Sequence, residues 1–213
     1  MANNTARYGF RWVGSADGAC YPKPVEKRVA SAYQAQVSAT DVDLNIGDPV
    51  DLVNDGTIAL ATGAGSPSTL YGVIVGFANV KVGLPLAGRK YNRLPGGTTY
   101  TLETDVSKAL VVPFGRNYWE VDVDDNTTAT TLAAYRLLCG ENANLSYTLD
   151  ISDTSRPKAT PRLDISTHVA TTADFRIIEI SKTALNQDFS GTGVKLIVQV
   201  NESGEAPFVT AGV

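Results

Sequence analysis

The chain has 213 residues, of which 43% are hydrophobic and 19% are charged, and its formal net charge is −4. This composition is rich enough in apolar residues to bury a core, so it excludes an intrinsically disordered chain. No apolar run approaches the roughly 18 residues that a membrane-spanning helix needs, and we expect no membrane segment. The first ten residues lack the apolar core of a signal peptide, so we expect the chain to be made in the cytoplasm.

Residues 1–40 are predicted to form an extended basic N-terminal arm. Residues 1–30 carry five basic side chains against two acidic ones, and Pro22 and Pro24 favour extended backbone at the residues before them. The basic residues form no dense run and the chain is acidic, so nucleic-acid binding is not expected. We expect the arm to lie on an acidic partner surface, and a solvated tail is the alternative.

Residues 41–125 are predicted to form a β-barrel or β-sandwich region. Short alternating apolar runs are separated by Gly, Asn, Asp or Pro, which is the pattern of strands joined by turns. The turn Asn54-Asp55-Gly56 indicates a hairpin, and Gly72 and Gly76 mark bulges or close backbone contacts within one strand. The predicted strands of this region are 48–53, 57–61, 70–82, 99–102, 109–114 and 118–123.

Residues 83–97 form an excursion rich in Gly and Pro that is too long and too interrupted for a tight turn. Exposed loops of this length commonly carry function. Apolar side chains accompany Arg89, Lys90 and Arg93, and this mixture suits contact with a neighbouring subunit.

Residues 126–213 are predicted to form a second β region that packs with the first as one body. Residues 131–139 are the only stretch with a plausible helical pattern, and it is short. The predicted strands are 145–151, 163–165, 175–181 and 194–201. The chain is therefore predicted to be all-β, with an antiparallel barrel or sandwich body, an N-terminal arm, long loops and little helix.

The residue types that catalysis and metal binding need are sparse. No Gly-x-Ser-x-Gly motif is present, and His168, the single histidine, is interpreted as a surface residue. Asp122, Asp124 and Asp125 could hold a cation such as Ca²⁺. They lack the glycine and the distal glutamate of an EF-hand loop, so a solvated acidic strand end is favoured.

The two cysteines, Cys20 and Cys139, lie far apart and form no Cys-x-x-Cys motif. Free thiols are favoured over a disulfide because nothing indicates an oxidising compartment. With one histidine, they also do not make a structural zinc site. We expect no catalytic residue, no metal and no cofactor.

Several segments resemble structural proteins of tailed bacteriophages, namely the small β-rich proteins that decorate or cement the head. The segments are 3–11, 46–50, 72–77, 175–180 and 194–202. The resemblance implies a β-barrel or β-sandwich body, assembly on the capsid exterior, often as a homotrimer, with the major capsid protein as partner, and no catalysis. The family pattern commonly carries a histidine after Asn201-Glu202, whereas this chain has Ser203-Gly204.

The arm and the 83–97 loop are predicted to contact the capsid or a neighbouring subunit. The predicted contact residues are Arg7, Tyr8, Phe10, Arg11, Trp12, Lys23, Lys27, Arg28, Arg89, Lys90, Tyr91 and Arg93. One alternative is a head-fibre, tail or host-surface module that binds glycans. Another is a hydrolase that uses Asp and Glu, which requires two converging carboxylates of perturbed pKa.

Overall fold

The structure is a computed structural model of the chain. It describes residues 9–30, 44–61, 70–78, 93–94, 108–124, 127–150, 158–169, 173–183, 186–190 and 193–201. Of the described residues, 56% are in strands and 5% are in a helix, with two antiparallel sheets in a sandwich-like arrangement. The prediction of an all-β, antiparallel fold is therefore confirmed.

Thirteen strands and one short helix occur in the described part of the chain. In chain order they are β1 (Arg11–Ser15), β2 (Val25–Arg28), β3 (Leu44–Asn45), β4 (Pro49–Leu52), β5 (Ile58–Leu60), β6 (Leu70–Ala78), β7 (Arg93–Leu94), β8 (Lys108–Pro113), β9 (Asn117–Asp122), α1 (Leu132–Leu137), β10 (Asn142–Asp150), β11 (Lys158–Val169), β12 (Phe175–Ile180) and β13 (Lys195–Val200).

The strands form two main sheets and one small one. The first sheet has the order β1-β9-β13-β12-β10-β11, the second has the order β2-β8-β6-β4-β5, and β3 pairs with β7. The chain passes from the second sheet to the first at the turn between β8 and β9, earlier than the predicted regional boundary after residue 125.

Each main sheet curls, so that the strand at one end of the sheet order approaches a strand near the other end. Val123, just after β9, forms a parallel bridge with Leu163 of β11, and Val29, just after β2, forms one with Ile58 of β5. Backbone hydrogen bonds support both bridges: Asp124 donates to Leu163, and Ala30 donates to Ile58.

The larger core cluster lies between the two sheets. β9 supplies Trp119 and Val121 to it, while Val73 and Val112 reach it from the second sheet. The alternation of β9 explains this, since successive strand residues face opposite sides. Burial of each large apolar side chain contributes roughly 1.5–3 kcal/mol. Because both sheets contribute side chains to this cluster, each sheet covers the apolar side chains of the other.

A second, smaller cluster lies on the other face of the second sheet. Its fully or nearly buried members are Val29, Leu44, Val50, Ile58, Leu60, Tyr71, Ile74, Ala109 and Val111. The second sheet therefore has an apolar core on both faces, which explains why β6 and β8 are almost continuously hydrophobic in sequence.

The glycines of β6 behave as the sequence predicts. A Cβ at Gly72 would lie 2.3 Å from the carbonyl oxygen of Val112, so only glycine allows β6 and β8 to approach this closely. The β6–β8 register shifts between Ile74 and Gly76, which is a bulge.

The hairpin predicted at 54–56 joins β4 to β5, with φ of +80° at Gly56. The predicted helix is present as α1. The Oγ1 of Thr131 caps its start by accepting a hydrogen bond from the N–H of Ala134. Within the described residues, no helix has the length and apolarity to cross a membrane.

A buried amide fastens the connection between β12 and β13. The side chain of Asn186 donates to the carbonyl oxygens of Ser181 (2.8 Å) and Lys195 (2.9 Å) and accepts from the N–H of Lys195 (2.9 Å). Asn186 is only 5% exposed. Its three hydrogen bonds fix the start of β13, which places the side chain of Lys195 beside β9.

Candidate functional site

The described part of the predicted arm is built into the body. β1 is the outermost strand of the first sheet and pairs only with β9, while β2 is the outermost strand of the second sheet and pairs only with β8. We call residues 11–28 the N-terminal strip. Its backbone is extended at β1 and β2, where it lies on the sheets, and it turns between them at Ala16–Gly18.

The other two outermost strands are partly covered on their outer sides. β5 is bridged by Val29 and Ala30, and β11 is bridged by Val123 and Asp124. No described residue pairs with the outer side of β1. The outer side of β2 faces β5 at its end, because Val29 directly follows β2 and bridges Ile58. Open strand edges present unpaired backbone donors and acceptors to other chains. In the described residues, the fully open edge is therefore that of β1, in the N-terminal strip.

The strip also exposes apolar side chains. Val13 is 37% exposed, Tyr21 is 68% exposed and Val25 is 42% exposed. Lys23 and Arg28 are exposed beside them. Six other large hydrophobic residues are exposed elsewhere in the described chain, so the feature that distinguishes the strip is the 68% exposed ring of Tyr21 close to Lys23.

Arg11 and Lys27, two of the predicted contact residues, are engaged with the body. Arg11 forms an ion pair of 2.8 Å with Glu120, which is its direct partner across β1 and β9. The Nζ of Lys27 lies 4.5 Å from the centre of the Tyr71 ring. Both side chains therefore help to hold the strip against the sheets, and both are also part of the surface of the strip.

Glu120 is a buried carboxylate that links three elements. Its side chain is 7% exposed; one oxygen contacts Arg11 and the other accepts a 2.5 Å hydrogen bond from the Oγ of Ser181, just after β12. Sequence analysis did not single out Glu120. The available signal was its place in β9 between the core residues Trp119 and Val121, which puts it on the opposite face.

Phe10 was predicted to contact the capsid, and the structure overturns this. Phe10 is only 3% exposed and packs against Phe114 and Phe175 in the larger core cluster. Its position follows from Gly9, whose φ of +62° turns the chain against the carbonyl of Gly47. An aromatic ring next to such a turn gains more from burial in the core than from exposure.

Trp12 is half-buried rather than freely presented. Its Nε1 donates a 3.0 Å hydrogen bond to the Oδ1 of Asn117, and its ring packs against the larger core cluster. Asn117 in turn donates to the carbonyl of Pro113. Trp12 therefore anchors β1 to the turn between the two sheets.

Six predicted contact residues remain. Arg7, Tyr8, Arg89, Lys90 and Tyr91 lie outside the described residues. The backbone of Arg93 pairs with Asn45 in the small sheet.

Asp122, which was interpreted as part of a solvated acidic strand end with a cation site as the alternative, is instead paired and partly buried. Asp122 forms a 2.6 Å ion pair with Lys195, its direct partner on β13. Burial raises the pKa of the Asp122 carboxyl, although the hydrogen bond and charge of Lys195 act in the opposite direction. Asp125 lies outside the described residues, and those that are described contain no group of three or more potential metal ligands from His, Cys, Asp and Glu.

The candidate base and the candidate nucleophiles each have their own surroundings. His168 is exposed on β11, where its Nδ1 lies 2.8 Å from the carbonyl oxygen of Ile165. Cys20 and Cys139 are both free thiols. Burial raises the pKa of the Cys139 thiol, which keeps it protonated and poorly nucleophilic at neutral pH.

The geometry of the strip decides what kind of site this is. It is a mixed apolar and cationic surface that includes the open edge of β1, which suits binding to a macromolecule. Comparisons with known protein families, curated proteins and solved structures find no match.

Proposed function

We propose that this protein decorates or cements the head of a tailed bacteriophage. It binds the exterior of the assembled capsid through the N-terminal strip, with the major capsid protein as its partner, and self-associates as a homotrimer. Its location is the outside of the virion head. It has no catalytic role and uses no cofactor. The resemblance of the chain to phage head proteins supports the phage assignment.

The observation that supports the binding proposal is that β1 and β2 are consecutive in the chain and lie at the ends of the two sheets, with the outer side of β1 unpaired among the described residues. One segment of 18 residues, 11–28, thereby presents three exposed cations, Arg11 on β1, Arg28 on β2 and Lys23 between them, together with the exposed ring of Tyr21. Because the strip pairs with both sheets, force at a joint between capsid subunits passes through the strip directly to the folded body. No unfolded tail has to carry that force.

The physical consequence is stabilisation by mass action. A protein that binds only the assembled shell stabilises it in proportion to the logarithm of its free concentration relative to Kd. The sequence is unevenly charged: residues 1–100 carry nine basic and seven acidic side chains, and residues 101–213 carry nine basic and fifteen acidic ones. An acidic outward face keeps particles mutually repelling.

The test is binding of the purified full chain to mature heads that lack it, measured by co-sedimentation. The Tyr21→Ala variant should bind at least tenfold more weakly, because Tyr21 is the most exposed aromatic of the strip. Leu137→Ala is the matched control, since Leu137 is 81% exposed but lies on α1. No binding by the unaltered chain, or equal weakening by both variants, would contradict the proposal.

Deletion of residues 1–30 is not a suitable test. It would remove Phe10 from the core and both β1 and β2 from their sheets. Loss of binding by that variant would report unfolding as readily as loss of a contact.

A further inference from the structure

The ion pair between Lys195 and Asp122 joins two inner strands of the first sheet. Lys195 on β13 and Asp122 on β9 are direct cross-strand partners, and their side chains are only 12% and 18% exposed. The Nζ of Lys195 lies 2.6 Å from the Oδ1 of Asp122. Because a carboxyl carbon is about 1.2 Å from its oxygens, Nζ is within about 3.8 Å of the carbon that an amine attacks.

Hydrogen bonds fix the backbone that carries this pair. The N–H of Lys195 donates to the side chain of Asn186, and the carbonyl oxygen of Lys195 accepts from that side chain and from the N–H of Ser181. The N–H of Val123 donates to the carbonyl oxygen of Val194, which holds the end of β9 to the start of β13. The amine and the carboxyl group are therefore kept side by side in the folded chain, which replaces a chance encounter with a fixed geometry.

Three charged side chains act on the carboxyl group of Asp122, and they come from β9, β11 and β13. Burial raises the pKa of this carboxyl and the charge of Glu120 raises it further, whereas Lys195 and Arg162 act in the opposite direction; the net shift is upward. The neutral acid, which is the form that an amine attacks, is therefore more accessible than in an ordinary aspartate. The charge of Arg162 also favours the oxyanion that forms when nitrogen adds to the carboxyl carbon.

We propose that Lys195 and Asp122 join spontaneously through an isopeptide bond, which is an amide between their side chains. In the ion pair the ammonium group of Lys195 carries three protons. One proton passes to the carboxylate, and the neutral amine then attacks the carboxyl carbon. A C–N bond forms, a second proton goes to the leaving hydroxyl, the C–O bond breaks and one water molecule departs. The amide nitrogen keeps the third proton, so the atoms balance without an oxidant, a cofactor or a second protein.

The bond locks two neighbouring strands of the first sheet together and closes the chain between residues 122 and 195 into a loop. Two charges held away from water carry a desolvation cost, which the neutral amide removes. A cross-link also stabilises a fold by restricting the unfolded chain. This inference does not depend on the proposed function. The titration of Asp122 belongs to the unlinked protein, in which the carboxyl group is still present.

The intact mass of the purified full chain, measured after denaturation, tests the inference. We expect a mass lower than that of the sequence by one water molecule. A protease digest should contain a branched peptide that joins the segments around Asp122 and Lys195. A folded chain that keeps its full mass after long incubation at neutral pH overturns the inference, and so does a loss of water that the digest places at other residues.

Variants connect the mass to the two side chains. Lys195→Arg keeps the positive charge but removes the amine, so it should retain the full mass of its sequence. Lys182→Arg is the matched control and should still lose water, because Lys182 pairs with Glu179 in an exposed position. A loss of water by Lys195→Arg contradicts the inference. The digest of the unaltered chain decides the matter even where a variant fails to fold.

Discussion

The rings of Phe10 and Phe175 lie 5.0 Å apart, centre to centre, in the larger core cluster. Phe10 precedes β1 and Phe175 begins β12, so this contact ties the start of the described chain to the middle of the first sheet. The N-terminal strip is consequently held in place from within the core as well as by strand pairing.

Phe10→Ala is expected to lower the free energy of unfolding by about 3–5 kcal/mol, because it leaves a cavity beside Phe114 and Phe175. Val13→Ala, on the neighbouring exposed position, should change it by less than about 0.5 kcal/mol. Urea denaturation of the three proteins measures both. A loss at Phe10 no larger than that at Val13 would mean that the ring is not part of the core.

Gly72→Ala is expected to lower the free energy of unfolding by at least about 2 kcal/mol, because the new Cβ would lie 2.3 Å from the backbone oxygen of Val112. Gly76→Ala is the control on the same strand. Its Cβ would make an ordinary contact of 3.5 Å with Leu110, so its effect should be within about 1 kcal/mol of zero. Thermal unfolding with equal losses at both positions would contradict the close approach of β6 and β8.

Asn186→Ala is expected to cost about 1–3 kcal/mol, since it leaves the buried backbone groups of Ser181 and Lys195 without their partner. The amides near the start of β13 should also exchange faster with solvent. Ser190→Ala, an exposed change in the same connection, serves as the control. Unchanged exchange in the Asn186 variant would show that the connection is held by other contacts.

The stability of the unlinked protein should respond to the titration of Asp122. Burial raises its folded-state pKa above the ordinary value of 3.8, while Lys195 and Arg162 lower it and Glu120 raises it further. A group with a raised folded pKa contributes stability that is fully present below the unfolded pKa and is lost as pH rises through the folded pKa. Asp122→Asn removes this titration.

The Tm of the unaltered protein minus that of Asp122→Asn should therefore be larger near pH 4 than at pH 7. Thermal unfolding of both proteins across this range measures the difference. A difference that instead grows toward pH 7 would mean that attraction to Lys195 outweighs the effect of burial.

The fold class was predictable because alternation and turn residues are local signals. The hairpin at 54–56, the helix after Thr131 and the interruption of β6 at Gly76 each follow from a few neighbouring residues. Strand order was beyond sequence analysis, since alternation fixes the faces of a strand and not its partners.

The candidate site was predictable in part. The basic and aromatic residues of the N-terminal segment drew attention to it, and Lys23 and Arg28 are exposed as a contact surface requires. Lys108, which lies opposite Arg28, and Glu120, the buried partner of Arg11, come from distant segments, and only the strand register brings them close. Phe10 was misassigned because residue type alone does not distinguish an interface ring from a core ring.

The measurement that tests the central claim most directly is the copy number of this chain in purified particles of a phage that encodes it, relative to the major capsid protein. Decoration of the head predicts a high copy number in a fixed ratio to the capsid protein. A few copies for each particle, as in a fibre or tail component, or absence of the chain from the particle, would contradict the account.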